Sequence, residues 1–204
     1  MSSQRVTDPE RFSLLEREAP DLCADRVDYT LRECLDWIAP EIVHGCLENL
    51  INHNGQIIFR NKGPAKEFAY AYAKCQEEHW GSPEYCVRFS LLAEALKIAL
   101  NNNMLLENAF YTMSDSDIIA KLKASRNPQI EGIFSILQSK KLNLVREESN
   151  PEHDINPKFR YVDPHYKSNG NVYRLSETDG EYSMHLRKQR EKHSRGIRVN
   201  LINP

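Results

Sequence analysis

The sequence has no excess of one charge sign, no long apolar run and no paired cysteine motif. Lys and Arg number 27 and Asp and Glu 29, giving a formal net charge of −2 at pH 7. That balance argues against a wholly basic nucleic-acid binder and against an acidic disordered tail. The most apolar helical stretch, Leu91 to Leu100, carries Glu94 and Lys97 and is too short to span a bilayer, so no membrane partner is expected. The start, Met1-Ser2-Ser3-Gln4-Arg5-Val6-Thr7-Asp8-Pro9, lacks the apolar segment of a signal peptide. Cys23, Cys34, Cys46, Cys75 and Cys86 form no CxxC pair and no metal-knuckle spacing. They read as reduced, mostly buried thiols, with a cytoplasmic location as the expectation. No repeat of fixed period is visible.

What is present is an ordinary globular composition of 204 residues, 40% hydrophobic and 27% charged. Charge is uneven along the chain. Residues 1–60 sum to −5, residues 61–137 to −1 and residues 138–204 to +4. The first two thirds read as helices. Pro20-Asp21 opens one that runs to about Ile38, and Pro40 a second that reaches past Ile51 to stop at Gly55. Gln56–Arg60 is a short extended piece, and Pro64 starts a third helix. Ser82-Pro83-Glu84, Ser114-Asp115-Ser116-Asp117 and Asn127-Pro128 are N-terminal caps of three more. After Lys140, Asn-Pro, Asp-Pro and Asn169-Gly170 turn signals dominate. Phe159–Val162, Val172–Leu175 and Ile197–Leu201 look like strands, and residues 180–193 like a polar helix. The expectation is a mainly α protein with a small β element near the C-terminus. It divides into a helical region 1–140 and a loop-rich extension 141–204.

The chemistry concentrates in Asp25-Arg26-Val27-Asp28-Tyr29, followed by Arg32-Glu33. Val27, Leu31, Cys34, Leu35 and Ile38 form an apolar stripe at helical spacing, while Asp25, Tyr29, Arg32, Glu33 and Asp36 form a polar one. Asp25 and Tyr29 stand one turn apart, which predicts a carboxylate and a phenol facing the same space. A carboxylate ligates divalent cations and an arginine forks onto phosphate oxygens. The bland reading of the same residues is a solvated helix face with an Asp28–Arg32 ion pair.

This string resembles the D-[RK]-x-D-Y-x-x-R-[DE] segment of the HD-superfamily phosphohydrolases, nearest to the branch of deoxynucleoside triphosphate triphosphohydrolases. Phe59 to Trp80, Ser82-Pro83-Glu84 with its Leu/Ala helix, Ser114 to Asp117, Phe159-Arg-Tyr-Val-Asp-Pro164 and Ser194-Arg-Gly-Ile197 are similar to later pieces of that branch. The resemblance implies a helical HD-type fold. It implies that Asp25 is one of four ligands to a divalent metal such as Mn, Mg, Fe or Zn. It also puts Arg26, Tyr29 and Arg32 on the substrate phosphates and Glu33 near the sugar, although Glu33 replaces a commoner Asp. The implied reaction is water attack on phosphorus beside the metal.

The family's other three ligands, a histidine and a His-Asp pair, lie upstream of the aspartate. The 24 residues before Asp25 contain no histidine. His153-Asp154 follows Asp25 between Pro151 and Pro157 and reads as a loop, and His79 beside Trp80 reads as a helix C-terminal cap. The remaining histidines show no ligand spacing. The expectation is therefore the C-terminal part of an HD-type enzyme for a nucleotide or other phosphate ester, inactive and without bound metal when alone. The alternative is a non-catalytic helical binding or scaffold module derived from one. The resemblance also implies a homo-oligomer. A further consequence is an exposed apolar face, because the stripe from Val27 to Ile38 lacks the helices it would pack on. Tyr70, Tyr72 and Lys66 fall on the third helix, with Tyr72 at a core position. Arg187, Lys188, Arg190, Lys192, Arg195 and Arg198 form a basic run with no aromatic residue interleaved, so it reads as a solvated face rather than a nucleic-acid site.

Overall fold

The computed structural model describes residues 12–202; the start of the chain read above for a signal peptide lies outside them. In chain order the helices are α1 (Ala24–Trp37), α2 (Pro40–Asn49), α3 (Lys62–Cys75), α4 (Pro83–Asn101), α5 (Ala109–Thr112), α6 (Asp115–Ala124), α7 (Pro128–Leu137), α8 (Leu175–Thr178) and α9 (Gly180–Ser194). The strands are β1 (Leu50–His53), β2 (Gln56–Phe59), β3 (Leu144–Arg146), β4 (His153–Ile155), β5 (His165–Ser168), β6 (Asn171–Arg174) and β7 (Ile197–Leu201). A π-helical turn, Gln76–Trp80, continues α3. The mainly helical class matches the sequence reading. Among the described residues the chain forms two compact units, 12–81 with Lys158–Arg195, and Ser82–Pro157 with 196–202.

In the first unit α1 buries Val27, Thr30, Leu31 and Cys34. It starts at Ala24, after the Pro20 expected to open it. The buried Thr30 hydroxyl is satisfied by donating to the Arg26 carbonyl at 2.6 Å. Pro40 occupies the first turn of α2, as expected, but that helix ends at Asn49. The chain then folds back as a hairpin in which His53 faces Gln56 across Asn54-Gly55. Both turn residues have positive φ, 51° and 77°, the left-handed pair that a two-residue hairpin turn needs. The apolar residues expected to prolong α2 are thus a strand, and the β element is not confined to the C-terminus.

The first sheet has the order β1-β2-β5-β6. β2 runs parallel to β5, with Phe59 opposite Tyr166, and a second hairpin closes β5 and β6 over Asn169-Gly170. The strand expected at Phe159–Val162 begins at His165 instead. Phe59, Phe68, Tyr72, Leu175 and Tyr182 fill the core with α1 and α3. Long-range polar bonds close this core. The buried Asp163 carboxylate accepts from the Ser176 backbone N–H at 2.9 Å and from its hydroxyl at 2.6 Å. The Tyr182 hydroxyl donates to the Val162 carbonyl. Arg174 donates to the Asp163 carbonyl at 2.8 Å and to the Asp21 carboxylate at 2.7 Å.

In the second unit the helices are capped locally. Val87, Leu91, Ala95 and Ala99 recur every fourth residue on α4 and pack with Ile118, Leu122, Ile130, Ile133 and Phe134. Each expected cap is made: Ser82 accepts from the Tyr85 N–H, Ser114 and Asp117 form a capping box, and Asn127 accepts from Gln129 and Ile130. Arg88 holds Glu84 at 2.7 Å and donates to the Leu137 and Ser139 carbonyls, closing the end of α7. A three-stranded antiparallel sheet, β3-β7-β4, completes the unit. His153 and Asp154, expected in a loop, belong to β4, where Asp154 lies 3.5 Å from Arg198.

Among the described residues, no helix is long and apolar enough to cross a membrane.

Candidate functional site

The resemblance places its residues on α1, and the fold separates them into two flanks. On one flank Tyr29 turns toward α3 and the π-helical turn. Its hydroxyl lies 3.4 Å from that of Tyr72, and its ring meets Trp80 edge-on with centroids 5.1 Å apart. Tyr72 and Trp80 are themselves in edge contact at 5.4 Å. Burial pushes the Tyr72 phenol well above its ordinary range, and the Tyr29 hydroxyl adds to the shift, while Arg26 and Arg160 pull against it. At neutral pH this buried phenol is protonated and accepts from the Tyr29 hydroxyl. His79, expected as a helix cap, instead stacks on Trp37 with ring centroids 3.7 Å apart.

Asp25 does not share that enclosure. It is exposed, and among the described residues its side chain has no hydrogen bond or ion pair. It sits in the first turn of α1, where a carboxylate complements the helix dipole. Arg26 is committed to the main chain. Its guanidinium donates to the Asp21 carbonyl and, at 3.1 Å, to the Arg17 carbonyl, with Glu16 3.9 Å away. Only 13% of its side chain is exposed, so it fastens the segment before α1. Arg32 is exposed and paired with Asp28 one turn earlier. Glu33 is half-buried. The expected convergence of Asp25 and Tyr29 on one space is therefore replaced by a half-buried phenol and an exposed carboxylate.

The other flank of α1 is apolar. Val27, Leu31 and Leu35 line a groove of about 620 Å³ with Val43 and Leu47 of α2 and Ile57 of β2. Leu35 is 49% exposed and Leu47 55%, but Val27, Leu31 and Cys34 of the stripe expected to lie open are buried against the unit's own core. Asp28 and Arg32 stand at its rim.

The donor set does not make a metal site by itself. Among the described residues, no group of three or more His, Cys, Asp or Glu side chains is disposed to hold a metal ion. A divalent cation needs several convergent ligands, and Asp25 stands alone. Sequence reading missed the aromatic part of this site. Trp80 carries no periodic signal, because the π-helical turn breaks the α3 spacing by which its direction would be read. Arg160 comes from a segment more than 120 residues downstream.

No family model matches the chain, and no solved structure matches it. An uncharacterized protein of Bacillus subtilis, YdhJ, is 31% identical over 168 residues, which cover 80% of this chain and 50% of that protein. The metal-dependent phosphohydrolase cns2 of Cordyceps militaris is 22% identical over 160 residues, 74% of this chain and 44% of its own length. The chain thus spans about half the length of the curated relatives it matches.

Proposed function

We propose that this chain is one part of an HD-type metal-dependent phosphohydrolase, of the deoxynucleotide triphosphohydrolase-like branch, acting on a nucleotide or another phosphate ester. The carrying observation is the string Asp25-Arg26-Val27-Asp28-Tyr29 with Arg32-Glu33 at the start of one helix. A distant relative named a metal-dependent phosphohydrolase supports it. Asp25 is the single metal ligand the chain contributes, and the missing ligands come from further polypeptide. Tyr29 and Arg32 serve the substrate phosphates, Glu33 the sugar side, and Arg26 joins the phosphates only after releasing the Arg17 carbonyl. The apolar groove on the same helix as Asp25 gives such polypeptide a surface to pack on. Assembly as a cytoplasmic homo-oligomer belongs to the same reading.

A second reading, a non-catalytic helical binding module, is favoured by one observation: the guanidinium expected at the phosphates is already bonded to two carbonyls.

The test uses the chain alone and a fusion that adds, upstream of Met1, the part of the Cordyceps relative with no counterpart here. With Mn²⁺ and a panel of deoxynucleoside triphosphates, the chain alone releases no phosphate and binds no stoichiometric Mn²⁺. The fusion binds Mn²⁺ and hydrolyses, and Asp25→Asn removes both. A folded fusion that binds Mn²⁺ but cleaves no phosphate ester favours the second reading. Asp25-dependent turnover by the chain alone overturns the claim that ligands are missing.

A further inference from the structure

The basic run on α9 acquires in the fold what its sequence lacks. Residues 158–161, Lys-Phe-Arg-Tyr, lie extended along the C-terminal half of α9. Phe159 and Tyr161 stack with centroids 5.2 Å apart and planes 19° from parallel. The Arg190 guanidinium lies over both rings, at 5.6 and 5.4 Å, and His193 meets Phe159 at 5.1 Å. Both rings are half-buried, while Lys158 and Arg160, at the alternate positions, are exposed. Arg187, Lys188, Arg190, Lys192 and Arg195 are exposed on the helix beside them. Lys192 pairs with Glu77 and Arg195 with Glu191. Among the described residues, Lys158, Arg160, Arg187, Lys188 and Arg190 have no carboxylate partner. Arg198, the last member of the run in sequence, belongs to β7 in the other unit and is held by Asp154 and Glu148.

We propose that this surface binds single-stranded nucleic acid, the cations following the phosphate backbone and the Phe159–Tyr161–Arg190 stack meeting bases. Unpaired exposed cations gain by releasing the counterions of a polyanion. Arginine forks onto phosphate, and a half-buried aromatic pair under an exposed guanidinium is a platform that any base can stack on. An acidic peptide would satisfy the charges but has no use for the rings. Fastening residues 158–161 to α9 accounts for Arg190 alone and leaves four cations without a role.

The test is fluorescence anisotropy of a labelled 20-residue oligothymidylate with the full chain. About five phosphate contacts predict a log–log salt slope near −3.5, or roughly a hundredfold loss of affinity between 50 and 200 mM salt. Arg160→Ala with Lys188→Ala is expected to weaken binding at 50 mM salt by about tenfold and to flatten the slope by about 1.4. Lys97→Ala with Lys121→Ala, an equal charge change on α4 and α6, leaves both unchanged. Circular dichroism of each variant verifies folding. Absence of binding at 50 mM salt overturns the proposal, and so does an equal loss in the two double variants. Polyphosphate of equal charge competing as well as oligothymidylate overturns the role of the rings and with it the nucleic-acid assignment.

Discussion

The two units solve the same problem in opposite ways. In the second, a neighbouring hydroxyl or amide caps each of α4, α6 and α7 and one stripe on α4 seeds the core, with Arg88 and the β3-β7-β4 sheet adding the distant contacts. In the first, closure depends on partners far apart, such as Arg174 on Asp21 and Tyr166 beside Phe59. The candidate residues, both tryptophans and six of the seven histidines lie in that first unit. The candidate residues therefore sit where the fold is assembled from distant segments. Catalytic and binding groups need directions that a single helix cannot supply.

The sharpest way to break the comparison is to empty the distant-contact core. Phe68 is fully buried against Phe59, with ring centroids 5.6 Å apart. Phe68→Ala is expected to cost about 3–5 kcal/mol through lost transfer energy and a cavity. Trp37 and Trp80 both report on this unit, so the urea midpoint followed by tryptophan fluorescence falls accordingly. Next comes Asp163→Ala, which leaves the half-buried Ser176 N–H and hydroxyl without their partner and is expected to cost about 1–3 kcal/mol on the same readout. If this polar node costs less than a tenth of the Phe68 effect, the long-range hydrogen bonds are not what closes the unit.

These two positions also mark what was legible in the sequence. Phe68 was readable from helical spacing alone. Asp163 was not, because its partner Ser176 is brought to it by the β5–β6 hairpin. The two Asn-Gly hairpins make the point more finely. Asn169-Gly170 was readable as a turn because its flanks are polar. Asn54-Gly55 was masked by Leu47, Leu50 and Ile51, whose i, i+3, i+4 spacing continues the pattern of α2 although Leu50 and Ile51 belong to β1. At the site, the string from Asp25 to Glu33 named the helix but not the directions of its side chains. The Arg26 guanidinium was claimed by main-chain carbonyls that carry no side-chain signature. The aromatics on the basic run were invisible because Phe159 and Tyr161 precede it by more than 25 residues.

A smaller effect separates the units from the other side. Ser114→Ala removes the capping box of α6, whose two members bond reciprocally. The expected cost is about 1 kcal/mol, confined to α6. Amide hydrogen exchange over residues 115–124 then accelerates while the tryptophan midpoint stays in place. A midpoint shift as large as the exchange effect would mean that the second unit is less local than its caps imply.

The smallest expected effect is a dependence on pH seated in the first unit. Burial lowers the pKa of His165, and the Arg174 guanidinium lowers it further against the opposing pull of Asp21, Asp163 and Glu177. Burial also lowers His185 and His193. A histidine depressed in the folded state is neutral there while its unfolded counterpart takes up a proton near pH 6.5. The unfolded chain then holds more protons, so stability is full above that pH and declines as pH falls through it. The tryptophan urea midpoint should drop between pH 7.5 and 5.5. A variant carrying His165→Gln, His185→Gln and His193→Gln should lose most of that drop, whatever its stability at pH 7.5. An unchanged drop would show that these three histidines do not carry the pH response. The Tyr182 N–H and the Lys66 ammonium hold Asp179 below the usual carboxylate range, so its own contribution disappears only on further acidification.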